Sequence, residues 1–184
     1  MSQKRRKPRV QYELLTLQVE DYSVTVNATI SYQAREPRPK SDKIRLYSFG
    51  HTIEIVGTCT APDERARETY RIIMEPPVGD EPPFDATLSD VRVKDDNGLV
   101  KHRKVQGQVV PVYDIPEGLG LLGRKRGPIK WEGSVWLPEP TLMQTMIVLA
   151  NKHPLYLQIH ERKIDRMRWI NGLTLQTTNP LGDR

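Results

Sequence analysis

The chain has 184 residues, a single cysteine, 37% hydrophobic content, and 28 Lys and Arg against 23 Asp and Glu. That length suits one domain with a real core, the lone Cys59 excludes an internal disulfide or a multi-cysteine zinc site, and no apolar run approaches the ~18 residues of a membrane span. Lys4, Arg5, Arg6, Lys7 and Arg9 stand with no acid among the first ten residues, and without them the basic and acidic residues balance. The excess charge therefore belongs to the start of the chain, whereas a nucleic-acid-binding fold carries a basic face on its folded body.

Residues 1–10 read as a disordered basic arm, serving either as a solubilising terminus or as a strap for nucleic acid or an anionic surface. The apolar stretch after it, Tyr12 to Val19, is too short and too polar for a signal peptide, which gives the expectation of a cytoplasmic protein. Leu15, Leu17 and Val19 share one two-residue phase, and Tyr22, Val24, Val26, Ala28, Ile30 and Tyr32 share the other. A turn at Glu20-Asp21 would place the two sets face to face as a hairpin. Arg35 to Asp42, with Pro37 and Pro39, is a connection. Ile44 and Leu46 lead through Phe49-Gly50 to a strand with Ile53, Ile55 and Cys59, where the cysteine reads as a small buried hydrophobe. A polar loop at Ala61 to Arg67 precedes a strand with Tyr70, Ile72 and Met74.

Pro76, Pro77, Pro82 and Pro83 forbid regular structure around Gly79. Leu88, Val91 and Val93 rise to a turn at Asp95 to Gly98, and a four-residue loop sets Val93 against Val100. Val105, Val109, Val110 and Val112 form one further strand, and Pro116 to Pro128 a loop rich in glycine and basic residues. Gly118, Gly120 and Gly123 spell G-x-G-x-x-G, but Gly127-Pro128 breaks the helix that a dinucleotide site requires. Ile129, Trp131, Val135 and Leu137 then alternate with polar residues, leaving Trp136 on the polar side. Leu142, Met146, Leu149 and Ala150 recur at helical spacing and predict one helix over about 141–151, with Thr141 as N-cap and Asn151, Lys152 and Pro154 ending it. Leu155, Leu157 and Ile159 form a strand, with His160-Glu161 at its end. A last hairpin follows, in which a loop of Ile170, Asn171 and Gly172 pairs Trp169 with Leu173 and Met167 with Leu175.

The fold class is all-β and mainly antiparallel, a sandwich or open barrel of about nine to ten short strands with one late helix. Residues 11–178 read as one domain and 179–184 as a flexible end. No metal or cofactor motif is found, and the four histidines show no ligand spacing. The expected function is non-catalytic binding of another macromolecule or of its own copies, with Trp136, Tyr156, Arg124, Lys125 and Arg126 as candidate contacts. The alternative is nucleic-acid association through Lys4, Arg5, Arg6, Lys7 and Arg9 together with the basic loop, extended by Lys101, His102, Arg103 and Lys104 if the strands adjoin. An enzyme with a site assembled from distant loops is a third reading, since residues remote in sequence meet in space.

Overall fold

Alternating apolar residues place strand after strand around a common interior. The computed structural model describes residues 10–30, 32–37, 47–77, 92–113, 118–151 and 154–182. Its strands are β1 (Val10–Ile30), β2 (Tyr47–Ala61), β3 (Thr69–Glu75), β4 (His102–Val105), β5 (Gln108–Pro111), β6 (Gly120–Arg124), β7 (Trp131–Trp136), β8 (Tyr156–Ile164) and β9 (Met167–Gln176), with one α-helix, α1 (Glu139–Leu149). The chain divides into two compact units, residues 1–77 with 118–184, and residues 78–117. No helix among the described residues is long and apolar enough to cross a membrane.

In the first unit, seven strands close into a barrel in the order β1-β2-β3-β7-β6-β9-β8, with β8 returning to β1. Neighbours are antiparallel except β3 and β7, which run parallel. The expected all-β, antiparallel class holds. Of sandwich and open barrel, the barrel is realised, and it is closed because β8 pairs with residues 10–18 of β1 and leaves the ring without an open edge. Leu15, Leu17, Ile53, Ile55, Ile72, Met74, Val135, Leu157, Ile159 and Ile170 fill its interior. Gly133 faces the same interior, where a Cβ would lie 2.8 Å from the Ile72 Cδ1.

Two switches of hydrophobic phase prove to be bulges inside continuous strands, and both expected hairpins are replaced. The turn expected at Glu20-Asp21 is absent: Val19 pairs with Gly57 and Asp21 with Val56, so Glu20 is the extra residue and β1 runs on. Gly57 permits this close approach, since a Cβ there would sit 2.6 Å from the Gln18 carbonyl oxygen. The terminal turn lies at Asp165-Arg166, with Asp165 at φ 54, and not at Ile170 to Gly172. His160 pairs with Gly172 and Glu161 with Ile170, which leaves Asn171 as the bulge. That extra residue lets Ile170, Leu173 and Leu175 all serve the core despite their unequal spacing. Trp169 therefore pairs with Arg162, and not with Leu173.

Other boundaries also shift. Part of the expected loop from Pro116 to Pro128 is β6, which packs so tightly on β7 that a Cβ on Gly120 would lie 2.0 Å from the Ser134 oxygen. α1 starts two residues early, capped by extended Pro138, with Pro140 in the first turn where its missing N–H costs nothing. The Asn151 amide donates to the Ile147 and Val148 carbonyls, as expected of a residue closing the helix, while Lys152 and His153 lie outside the described residues.

In the second unit, the single strand expected from Val105 to Val112 is a hairpin of β4 and β5. Gln106 and Gly107 turn at φ 50 and 83, the positive pair that a two-residue hairpin favours. The turn at Asp95 to Gly98 forms, but Lys94 and not Val93 pairs with Val100, so its loop is one residue longer. Leu88 and Val91 lie outside the described residues.

Candidate functional site

Two features stand out in the barrel unit: a buried ionic cluster inside it, and a ribbon that leaves it. The cluster follows from the inward phase of β1 and β8. Stepping two residues beyond Leu15 and Ile159 reaches Glu13 and Glu161, which pair with one another across the strands. Glu161 is only 2% exposed, so the expected surface turn at His160-Glu161 is instead the middle of β8 with a carboxylate facing inward. Its charge is answered from the connection between β2 and β3, where Arg65 is 7% exposed. Arg65 Nη1 donates to Glu161 Oε2 at 2.6 Å and to Glu13 Oε2 at 3.0 Å. Arg168 from β9 donates to the other Glu161 oxygen.

Aromatic rings complete the enclosure. The Arg65 guanidinium lies 4.2 Å from the Trp131 ring centroid and 5.3 Å from that of Tyr70, and the two rings stack at 6.1 Å with an interplanar angle of 13°. Arg168 and Arg124 approach Trp131 at 5.0 and 5.9 Å. The Trp131 indole N–H donates to Glu68 at 2.7 Å. Burial by itself would draw the proton from Arg65, but the hydrogen bonds and charges of Glu161 and Glu13 outweigh it and hold the guanidinium above its ordinary value. Burial pushes the neighbouring Cys59 thiol up to about 11 and raises the Tyr70 phenol as well. Glu13, Glu68 and Glu161 share Arg65 and Arg168, and the thiol is protonated at neutral pH, so the arrangement cross-braces β1, β3, β7, β8 and β9 from within. Among the described residues no group of three or more His, Cys, Asp or Glu is placed to hold a metal.

The ribbon has the opposite character. Beyond Gln18 β8 no longer pairs with β1, and β3 pairs with residues 53–58 of β2. Among the described residues, 25–30 of β1 and 47–52 of β2 therefore pair only with each other, and 21–24 of β1 pair only with 53–56 of β2, which leaves an open edge on β1 from 21 to 30 and on β2 from 47 to 52. Cross-strand partners share a face, so Val24 opposite Ile53 and Tyr22 opposite Ile55 continue the inner wall of the barrel. Ile53 and Ile55 are covered, but Val26 is 74% and Tyr32 79% exposed, and Tyr22, Val24 and Ile30 are exposed too. From Tyr22 to Ala34 no residue carries a charge.

The sequence-derived contacts do not form one surface. Trp136 is half-buried at the end of β7, pairing with Glu75, whereas Arg124, Lys125 and Arg126 are exposed around the turn at the opposite end of that strand. Lys125 is ion-paired to Glu132 at 2.8 Å and Arg124 faces Trp131. Tyr156 is half-buried where β8 begins, between Gln18 and Gln176. Lys4, Arg5, Arg6, Lys7 and Arg9 lie outside the described residues, and Lys101, His102, Arg103 and Lys104 belong to the second unit. Three hollows mark the barrel unit among the described residues. One of about 290 Å³ lies between α1 and the barrel, lined mainly by Met74, Leu137, Leu157 and Leu175; a second, of about 490 Å³, is a dent where Gly172 offers no side chain, lined by Glu13, Leu14, His160 and Glu161; a third, of about 240 Å³, lies beside Glu13, Glu161, Lys163 and Arg168. The last two border the ionic cluster, so ionisable groups of β1, β8 and β9 do converge there. Set against models of protein families, curated proteins and solved structures, the chain matches none.

Proposed function

We propose that this chain is a non-catalytic binding protein that engages another macromolecule, or its own copies, through the ribbon of residues 21–30 and 47–52. The observation that carries the proposal is an apolar strip of barrel wall, uncharged from Tyr22 onward in β1, left uncovered among the described residues beyond the closed ring. A two-stranded sheet is marginal alone in water, and free edges are ordinarily guarded by charge, proline or a covering element. Among the described residues both edges stand open over an exposed apolar face, which is the surface that strand addition uses. Arg65 and Arg168 are held by Glu13 and Glu161, which favours a brace over a catalytic centre although Arg65 Nε and Nη2 and the Tyr70 hydroxyl find no hydrogen-bond partner among the described residues.

The test is a photo-reactive side chain in place of Val26, irradiated in cells that make the protein, with the same group at exposed Asp96 as control. The expected result is one discrete adduct specific to position 26; a position 26 that yields only what position 96 yields would refute the proposal. Nucleic-acid association has the exposed turn of Arg124, Lys125 and Arg126 in its favour. That turn supports it less strongly, because Lys125 and Arg124 are already engaged by Glu132 and Trp131. A shift in mass with a mixed oligonucleotide at low salt, released as salt rises, would move this reading ahead.

A further inference from the structure

Resting on the reading of the ribbon as a binding surface, we infer that its partner is a second copy of this chain, added antiparallel along the free edge of β1 with the two-fold axis at Val26. The place for that strand is bounded by the barrel itself. β8 occupies the β1 edge as far as Gln18, and the Val19 N–H still donates to the Leu155 carbonyl at 2.9 Å. Past the Glu20 bulge the edge is vacant among the described residues for the ten residues 21–30, whereas the free edge of β2 spans only 47–52. An added strand thus continues the sheet where β8 stops, and β1 offers the longer template.

The sequence of that edge is complementary to itself. With Val26 opposite Val26 of the second copy, Val24 meets Ala28 and Tyr22 meets Ile30, all on the apolar face. Ser23 meets Thr29 and Thr25 meets Asn27 on the polar face. Every residue keeps its face, as an isologous two-fold contact requires, and apolar and hydroxyl pairs are those that stabilise neighbouring strands. Electrostatics fit the same occupant. Two identical charged edges laid together repel, but this edge carries no charge from Tyr22 onward, so a copy of itself meets no penalty. An acidic or basic partner would find no opposite charge on it to pair with. The pairing turns two marginal ribbons into one four-stranded sheet and brings the exposed Val26 side chains together at its centre.

Light scattering on the purified full-length chain, together with linkage by a short bismaleimide, tests this. The wild type should have twice the 21.2 kDa of one chain, and Val26→Lys, which sets two ammonium groups on the axis, should have the single mass while still unfolding cooperatively. Val26→Cys should link to its counterpart. Thr29→Cys should not, because six residues of strand hold the two positions 29 about 20 Å apart. Cys59 is buried and supplies only the background seen in the wild type. A wild type of single mass at the highest attainable concentration would overturn self-pairing; an adduct of another mass at position 26 in cells would then leave the binding reading standing. A dimer that survives Val26→Lys, or linkage through position 29 and not 26, would overturn the proposed edge and register.

Discussion

Replacing Arg65 by Met tests whether the ionic cluster holds the barrel together. Methionine keeps most of the volume and lies against the same rings, so the change chiefly removes the charge. Glu161, at 2% exposed, loses its 2.6 Å partner but keeps Arg168. Breaking a buried pair from one side costs about 3 to 5 kcal/mol, and the surviving Arg168 argues for the lower end. Loss of the cation over Trp131 adds about 1 kcal/mol. The expected destabilisation is about 3 to 4 kcal/mol, read from the urea midpoint with an unchanged slope and accompanied by a fall of roughly 10 °C in Tm. The double variant Arg65→Met with Glu161→Met leaves no stranded carboxylate at the centre, so it should cost less than the two single changes together, with a coupling of about 2 kcal/mol. A cost under about 1 kcal/mol for Arg65→Met, or strict additivity in the cycle, would refute the reasoning.

Three further outcomes are expected. Gly120→Ala forces a methyl against the Ser134 oxygen and should destabilise by about 3 kcal/mol or more, whereas Gly98→Ala, with open space around it, should cost only the strain of its φ of 78; thermal unfolding of the pair separates the two effects. Deleting Asn171 should turn Leu173 and Leu175 away from the core and prevent cooperative unfolding by calorimetry, while deleting Asp96 from the exposed turn should leave it intact. Folding holds the proton on Cys59 up to about 11 against its ordinary 9.0, so the unfolded chain releases that proton first. Its stabilisation is complete below pH 9 and disappears as pH rises toward 11, at about 1.4 kcal/mol per pH unit. Denaturant midpoints measured across that range should fall less steeply in Cys59→Val; identical slopes would remove the thiol from the account.

The fold was legible wherever one hydrophobic phase ran unbroken, as in Ile53 to Cys59, Tyr70 to Met74 and Leu155 to Ile159. It failed where the phase changed. A change of parity in the apolar positions, odd to even at Glu20 and even to odd at Asn171, looks the same in sequence whether the chain reverses or inserts one residue and continues. Turn chemistry gave a sign at only one of them: Glu20-Asp21 lacks the glycine of a tight turn, whereas Asn171-Gly172 has turn chemistry and is a bulge all the same. The opposite slip occurred at Gln106-Gly107, where a valine on either side masked a true reversal. The glycines at 118, 120 and 123 drew attention as a loop because glycine usually breaks structure. At Gly120 it is present because two strands approach too closely for a side chain.

The candidate site was less legible, for a reason that the same alternation explains. Periodicity assigns a residue to a face, and only the rest of the chain decides what covers that face. Carried one step past Ile159 and Leu15, the inward phase already reached Glu161 and Glu13, and a carboxylate at a core position is a request for a buried cation. Arg65 could not be named from its polar loop, because the encounter depends on barrel closure between β1 and β8. The ribbon is the converse. Val24 and Val26 repeat the pattern that buries Ile53 and Ile55, yet the ring closes before it reaches them, and a core pattern persists where none of the described residues provides a core. Selection against edge pairing would have placed a lysine or proline among those residues. An uninterrupted, uncharged core pattern in solvent is therefore what the proposed self-pairing would account for, since a second copy would cover it.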